Sequence, residues 1–207
     1  MAQYFTVHPV DPQPRLIRQA AQLVRDGALI VYPTDSSYAI GCRIGDKDAL
    51  ERLRALRGLD DKHLLAIVCR DLAQVATYAR VNDRQYRVLK SAVPGAYTFI
   101  LQGTRELPKR LQHPSRRTIG VRVPDHAIVQ ALLAELGEPL VSSTLTLPGE
   151  DDPLTDPADI RSRLEKRVEL VIDGGQGGVV PTTLVQLTDD TPEIVREGKG
   201  AVDVIGG

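Results

Sequence analysis

The chain has 207 residues, of which 42% are hydrophobic and 26% charged, with a formal net charge of −1. That balance describes one ordinary globular domain; it excludes a disordered or collagen-like chain and contains no apolar run long enough to span a bilayer. The near-zero charge also argues against tight nonspecific nucleic-acid binding, which draws its strength from neutralising phosphates.

The first residues, Met1-Ala-Gln-Tyr-Phe-Thr-Val-His8, have no basic region followed by a long apolar stretch, so we expect a non-exported, cytoplasmic protein with no membrane contact. Residues 14–25 read as an amphipathic helix, with Leu16, Ile17, Ala20, Leu23 and Val24 at helical spacing and Gly27 as its stop. A strand follows over 28–32 and runs into a cluster of hydroxyls: Leu29-Ile-Val-Tyr-Pro-Thr-Asp-Ser-Ser-Tyr-Ala-Ile-Gly-Cys42. An apolar strand that ends in such a cluster is a common way to build a ligand site at a sheet edge.

Asp46 is placed to cap a helix through about residue 56, with Leu50, Leu53 and Leu56 on one face. A buried strand is expected over 64–69, short helices over 72–78 and 83–90, and strands over 97–102 and 118–123. Asp125 is expected to cap a helix through about residue 136, ended by Gly137. A strand over 140–146 leads into the longest loop, 148–157, which holds three prolines and four acids and is a candidate flap over a site. Asp156 and Pro157 open a helix to about residue 166, and strands over 168–172, 183–187 and 193–196 complete the chain. The alternation predicts a single α/β domain over 1–207, with its core about 15–198, built on an open, twisted, mixed sheet flanked by helices.

Familiar chemical motifs are absent: no phosphate-binding GxxxxGK[ST], no GxGxxG, no HExxH, no CxxC and no GxSxG. His8, His63, His113 and His126 are dispersed without metal-ligand spacing, and Cys42 and Cys69 lie in apolar surroundings that suit buried thiols. The glycine-rich Asp173-Gly-Gly-Gln-Gly-Gly178 reads as a flexible turn, with a ligand loop working through its backbone as the alternative. The paired cations Lys109-Arg110 and Arg116-Arg117 read as a solvated charged face.

What remains is a set of hydroxyls and arginines at expected strand ends: Thr34, Asp35 and Tyr38, then Thr98, Arg122, Ser142, Ser143, Thr144 and Thr146, then Thr182, Thr183 and Arg196. Neutral donors beside guanidinium groups are what a nucleotide's phosphate chain requires.

These residues also carry a resemblance. The stretch Pro33-Thr-Asp-Ser-Ser-Tyr-Ala-Ile-Gly41 resembles the P-T-[ED]-[ST]-x-Y-[GA]-[IL]-G pattern of the YrdC/YciO family. Pro94 to Thr98 resembles its P-G-x-x-T, and Arg122-Val-Pro124 its R-x-P. Asp173-Gly174 with Pro181-Thr-Thr183 resembles its Asp-Gly loop before P-[ST]-T, and Arg196-Glu-Gly198 its R-x-G. The ordered matches cover nearly the whole chain, and the resemblance implies an α/β sheet with a concave, positively lined pocket. It further implies a threonylcarbamoyl-AMP synthase-like nucleotidyltransferase. Such an enzyme joins L-threonine, bicarbonate and ATP, with Mg²⁺, releases pyrophosphate, and feeds modification of adenosine 37 in tRNA.

The family's K-x-R motif falls on Arg57-Gly-Leu59 and its S-x-N motif on Thr144-Leu-Thr146. The loss of a guanidinium at Leu59, if that group grips phosphate, removes about 1.5–3 kcal/mol per charged hydrogen bond. Lys62 is the candidate to reach into the gap. These departures, with Asp35 where glutamate is commoner, resemble the YciO branch. The resemblance thus assigns Arg57, Thr144 and Thr146 to catalysis. It assigns Thr34, Asp35, Tyr38, Lys62, Thr98, Arg122, Ser142, Thr182, Thr183 and Arg196 to nucleotide or substrate binding. The second expectation is a nucleotide- or double-stranded-RNA-binding protein without efficient turnover.

Overall fold

The computed structural model describes residues 1–205. Ten strands form one mixed sheet. In chain order they are β1 (Gln3–Thr6), β2 (Ile30–Pro33), β3 (Tyr38–Arg43), β4 (Ala66–Val68), β5 (Tyr97–Gln102), β6 (Thr118–Arg122), β7 (Leu140–Thr144), β8 (Leu170–Asp173), β9 (Thr183–Gln186) and β10 (Glu193–Arg196). Across the sheet the order is β1-β8-β2-β3-β7-β4-β6-β5-β9-β10, with parallel pairs β1–β8, β8–β2, β4–β6 and β5–β9 and antiparallel pairs elsewhere. The expected mixed α/β architecture is present.

Six helices cover the sheet: α1 (Pro14–Arg25), α2 (Lys47–Arg57), α3 (Leu72–Tyr78), α4 (Asp83–Ala92), α5 (Ala127–Leu136) and α6 (Pro157–Leu164). The two-residue period of the strands divides the core. Along β2 and the residue before it, Leu29 and Val31 join one cluster while Ile30 and Tyr32 join another. The first cluster takes Leu50, Leu53 and Leu56 of α2, Leu89 of α4 and Ile160 of α6; the second takes Ala20, Ala21 and Val24 of α1 and Ile128, Leu132 and Leu133 of α5. The helices therefore lie on both faces. The strand residues of the second cluster come mainly from β8, β2, β3 and the start of β7, with Val68 from β4, so α1 and α5 cover chiefly that half of their face. On the same face, alternate residues of β5, β6 and β9 are Thr98, Arg122 and Leu184, and these line a cavity.

Caps explain the helix starts. Asp46 accepts a hydrogen bond from the Ala49 N–H, Asp71 from Gln74, and Asp156 from Ala158 and Asp159. The expected cap of α5 is wrong. His126 occupies the cap position without a side-chain bond, and Asp125 instead donates its backbone N–H to the Asp35 carboxylate. Two strands had no counterpart in the sequence reading. β1 is a short, half-exposed edge paired with β8, and β3 begins inside the hydroxyl cluster at Tyr38. The β7 strand ends at Thr144, short of residue 146.

The glycine loop is packed rather than open. A Cβ on Gly177 would lie 2.6 Å from the Tyr38 ring, and one on Gly178 would lie 2.4 Å from the Ser36 carbonyl oxygen. The Tyr38 hydroxyl donates to the Gly175 carbonyl at 2.7 Å and accepts from the Gly174 N–H at 3.2 Å. These glycines let the loop close onto the β2–β3 turn.

Candidate active site

A cavity of about 470 Å³ opens beside the half of the sheet that α1 and α5 leave bare. Its floor is built by strand alternation: Ser142 on β7, Ala66 on β4, Arg122 on β6, Thr98 on β5 and Leu184 on β9. Small residues keep it hollow. Gly120 sits against Ala66 and Thr98 so closely that a Cβ would come within 3.3 Å of both side chains.

Register explains why the cavity continues to the other side of β7. β4 is three residues long, and its first residue Ala66 pairs with Ser142, so Ser143 and Thr144 extend past it. Arg57 enters at that notch from the end of α2 and donates its Nε–H to the Ser143 Oγ at 3.2 Å. Asp151, Asp152 and Pro153, from the segment between β7 and α6, form another wall.

Three arginines face the space in different electrostatic settings. Arg122 is 6% exposed and forms an ion pair with Asp35 at 2.8 Å; it also donates to the Ser36 Oγ at 3.2 Å, while its Nε–H is buried without a partner. Lys199 donates to the Asp35 carbonyl, tying the β2–β3 turn to the chain beyond β10. Arg57 and Arg196 have no carboxylate partner among the described residues; Arg196 donates to the Thr182 carbonyl at 3.0 Å. Burial lowers the Arg57 pKa from its ordinary value, though the group stays charged near neutrality. Buried hydroxyls complete the polar lining: Thr98 and Thr182 share a hydrogen bond of 2.7 Å, and Ser142 accepts from the Tyr32 hydroxyl at 2.7 Å.

Of the residues singled out in the sequence, Arg57, Thr98, Arg122, Ser142, Thr144, Thr146, Thr182 and Arg196 converge on this cavity. Thr34, Asp35, Tyr38, Lys62 and Thr183 are not on its wall. The Thr34 hydroxyl donates to the Ser37 carbonyl and closes the β2–β3 turn. Asp35 orients Arg122, and Tyr38 anchors the glycine loop. The Thr183 hydroxyl donates to Gly200 and accepts from the Gly198 N–H, which seats the segment after β10. Lys62 is exposed; its backbone N–H is held by the Asp60 carboxylate in the turn after α2. Ser143, named with the strand-end hydroxyls in the sequence, is also on the wall, as are Asp151 and Asp152 of the expected flap; His63 and Ser37 are wall residues to which the sequence reading gave no role.

A family model described as "Telomere recombination", covering Sua5, YciO and YrdC, matches residues 22–198. The chain belongs to this family. It is 53% identical over 202 residues to the YciO protein of Escherichia coli K12, covering 98% of each chain. It is also 35% identical over 175 residues to a protein from Chromohalobacter salexigens named threonylcarbamoyl-AMP synthase, covering 83% of this chain and 92% of the relative. The crystal structure of Escherichia coli YciO superposes with a TM-score of 0.95, at 52% identity, covering 99% of this chain and all of that one. In this Sua5/YciO/YrdC chain, the elements resembling P-G-x-x-T, R-x-P and P-[ST]-T bring Thr98, Arg122 and Thr182 to one cavity. Leu59, two residues after Arg57, instead packs against the hydrophobic core.

Proposed function

We propose that this protein is a threonylcarbamoyl-AMP synthase-like nucleotidyltransferase acting on ATP, L-threonine and bicarbonate in its cytoplasmic setting. The observation that carries the reading is the cavity itself: Arg57 and Arg196, without carboxylate partners, stand beside the buried Thr98–Thr182 and Ser142 hydroxyls. Family membership and the named activity of the Chromohalobacter relative support it.

The reaction brings anions together. The amine nitrogen of L-threonine attacks the carbon of bicarbonate, a C–O bond breaks, and the departing oxygen takes a proton from the amine to leave as water, which gives the carbamate. A carbamate oxygen then attacks the α-phosphorus of ATP, and the α–β bridging oxygen leaves with pyrophosphate. The barrier falls when fixed cations and donors offset the repulsion and hold nucleophile and leaving group in line. Arg57 and Arg196 are suited to the phosphates and the carboxylate, and Arg122, already paired with Asp35, to a weaker or smaller anion. Thr98, Thr144, Thr146, Ser142 and Thr182 orient ligand by hydrogen bonds. Thr34, Thr183, Asp35 and Tyr38 act one step back by holding the turns that carry those groups.

Mg²⁺ enters as part of the nucleotide substrate. Among the described residues no group of three or more His, Cys, Asp and Glu side chains could hold a metal. Asp151 and Asp152 on the wall are suited to an ion that keeps its waters and phosphate ligands.

The test is pyrophosphate release from Mg-ATP with bicarbonate and L-threonine each present or omitted. Release that needs both supports the reading. Release independent of threonine identifies another acyl acceptor, and none at all, alongside nucleotide or RNA binding, replaces the enzyme with a binding module.

A further inference from the structure

The wall of the cavity nearest α2 holds a group with no role in the scheme above. The helix ends at Gly58, in the left-handed region with φ 65°, and the Leu59 N–H donates back to the Arg54 carbonyl. That helix-terminating motif turns Leu59 into the core. The next turn is fixed by Asp60, whose carboxylate accepts the N–H groups of Lys62 and His63 at 2.9 Å each. The chain then enters β4 at Ala66. The outcome is that Lys62 stays off the cavity wall, and His63 is on it with Arg57, Ser143 and Leu64. His63 is exposed at the cavity mouth; among the described residues its ring nitrogens have no hydrogen-bond partner, while its backbone N–H is held by Asp60.

We infer that His63 is a ligand-contacting residue that donates to the anionic group bound beside Arg57 and becomes protonated when that group binds. The inference rests on the reading of the cavity as a nucleotide and carboxylate site. An imidazole beside an anion gains from carrying a proton, because the anion favours the charged form. In the free protein the balance runs the other way: partial burial lowers the His63 pKa, Arg57 lowers it further, Arg54 adds to that, and Asp60 opposes it. Asp151, Asp152, Arg122 and Arg196 are the other charged groups on the cavity wall, two of each sign. His63 is thus neutral at pH 7 until a ligand's negative charge replaces the repulsion from Arg57. Binding then takes up a proton, and affinity rises as pH falls.

The experiment measures Mg-ATP dissociation constants by calorimetry at pH 6 and pH 8 for the unmodified protein, His63→Gln and His63→Arg, after circular dichroism shows that all three are folded. We expect the unmodified protein to bind about tenfold more tightly at pH 6 than at pH 8, relative to His63→Gln, in line with one charge-assisted hydrogen bond gained on protonation. His63→Arg should bind at pH 8 at least as tightly as the unmodified protein and follow the flat pH profile of His63→Gln, an outcome that a merely structural histidine would not produce. ATP binding by all three with equal constants at both pH values would overturn the role of His63 and leave the adenylation reading intact. No ATP binding by the unmodified protein at either pH would overturn both.

Discussion

At the residue scale, side chains of one chemical type divide between the cavity wall and the groups that support it. Arg57 meets the cavity directly and the only hydrogen bond of its side chain among the described residues is to Ser143, so its charge remains for a ligand. Arg57→Ala should lower pyrophosphate release well over tenfold, as about one to two charge-assisted hydrogen bonds are lost; an unchanged rate would remove it from the proposed role. Asp35 works through Arg122. Both are nearly enclosed, with side chains 9% and 7% exposed. Asp35→Ala would leave a buried guanidinium with one fewer partner and a second unmet N–H beside Nε. The expected loss is about 3–5 kcal/mol of folding stability, read as a lower urea midpoint at constant slope. Thr183 makes the same point from the sequence side. It is a threonine in a family-like motif, yet its hydroxyl serves two backbone groups after β10.

At the scale of elements, two connections decide the shape of the site. The glycine loop after β8 closes on the β2–β3 turn because Gly178 brings its backbone against the Ser36 carbonyl. Gly178→Ala should cost about 1–3 kcal/mol through overpacking against a backbone atom that cannot step aside. The loss should appear as a lower melting temperature, and a neutral effect would mean that the turn yields freely. The other connection is α2, which carries Arg57 at its last residue and is started by Asp46. Asp46→Ala removes the cap and should cost about 1 kcal/mol. Fraying confined to the first turn predicts a lower melting temperature with Mg-ATP affinity little changed; a large affinity loss would show that the whole helix shifts.

At the scale of the molecule, the sheet and its two helical layers bury groups that ionise readily in water. Cys42 and Cys69 are free and fully enclosed. Burial raises the Cys42 thiol from 9.0 to about 12, raises Cys69 in the same direction, and raises the Tyr32 hydroxyl from 10.0 to about 12. Each folded pKa lies above its unfolded value, so the stability tied to these groups is complete below pH 9. It is lost as pH rises toward 12, because the unfolded chain ionises first. Denaturant melts from pH 8 to pH 11 should therefore show falling stability. In the same native protein a thiol reagent at pH 8 should label neither cysteine until the chain unfolds. Labelling without unfolding would show that the core opens locally. Among the described residues, no helix is long and apolar enough to cross a membrane.

The elements that were legible in the chain owe it to strong local signals. Apolar spacing of 3.6 marked α1 and α2, Pro-Gly punctuation marked β5, and capping aspartates marked α2 and α6. Motif spacing, through the resemblance, also indicated the family and most of the hydroxyls and arginines that meet at the cavity. Strands β1 and β3 were not legible, because one is a short half-exposed edge and the other begins among hydroxyls; their pairing partners, β8, β2 and β7, supply what local composition does not. Nor could the chain alone distinguish a wall residue from its support. Whether Lys62 or His63 lines the cavity is decided by the turn after α2, and whether Thr183 or Thr182 does is decided by one step at the start of β9. Composition and period determine which segments become helices and strands and which faces are buried. The direction of each polar side chain at a strand end depends on register, on where a neighbouring strand stops and on which backbone groups need a partner, and those are properties of the assembled sheet alone.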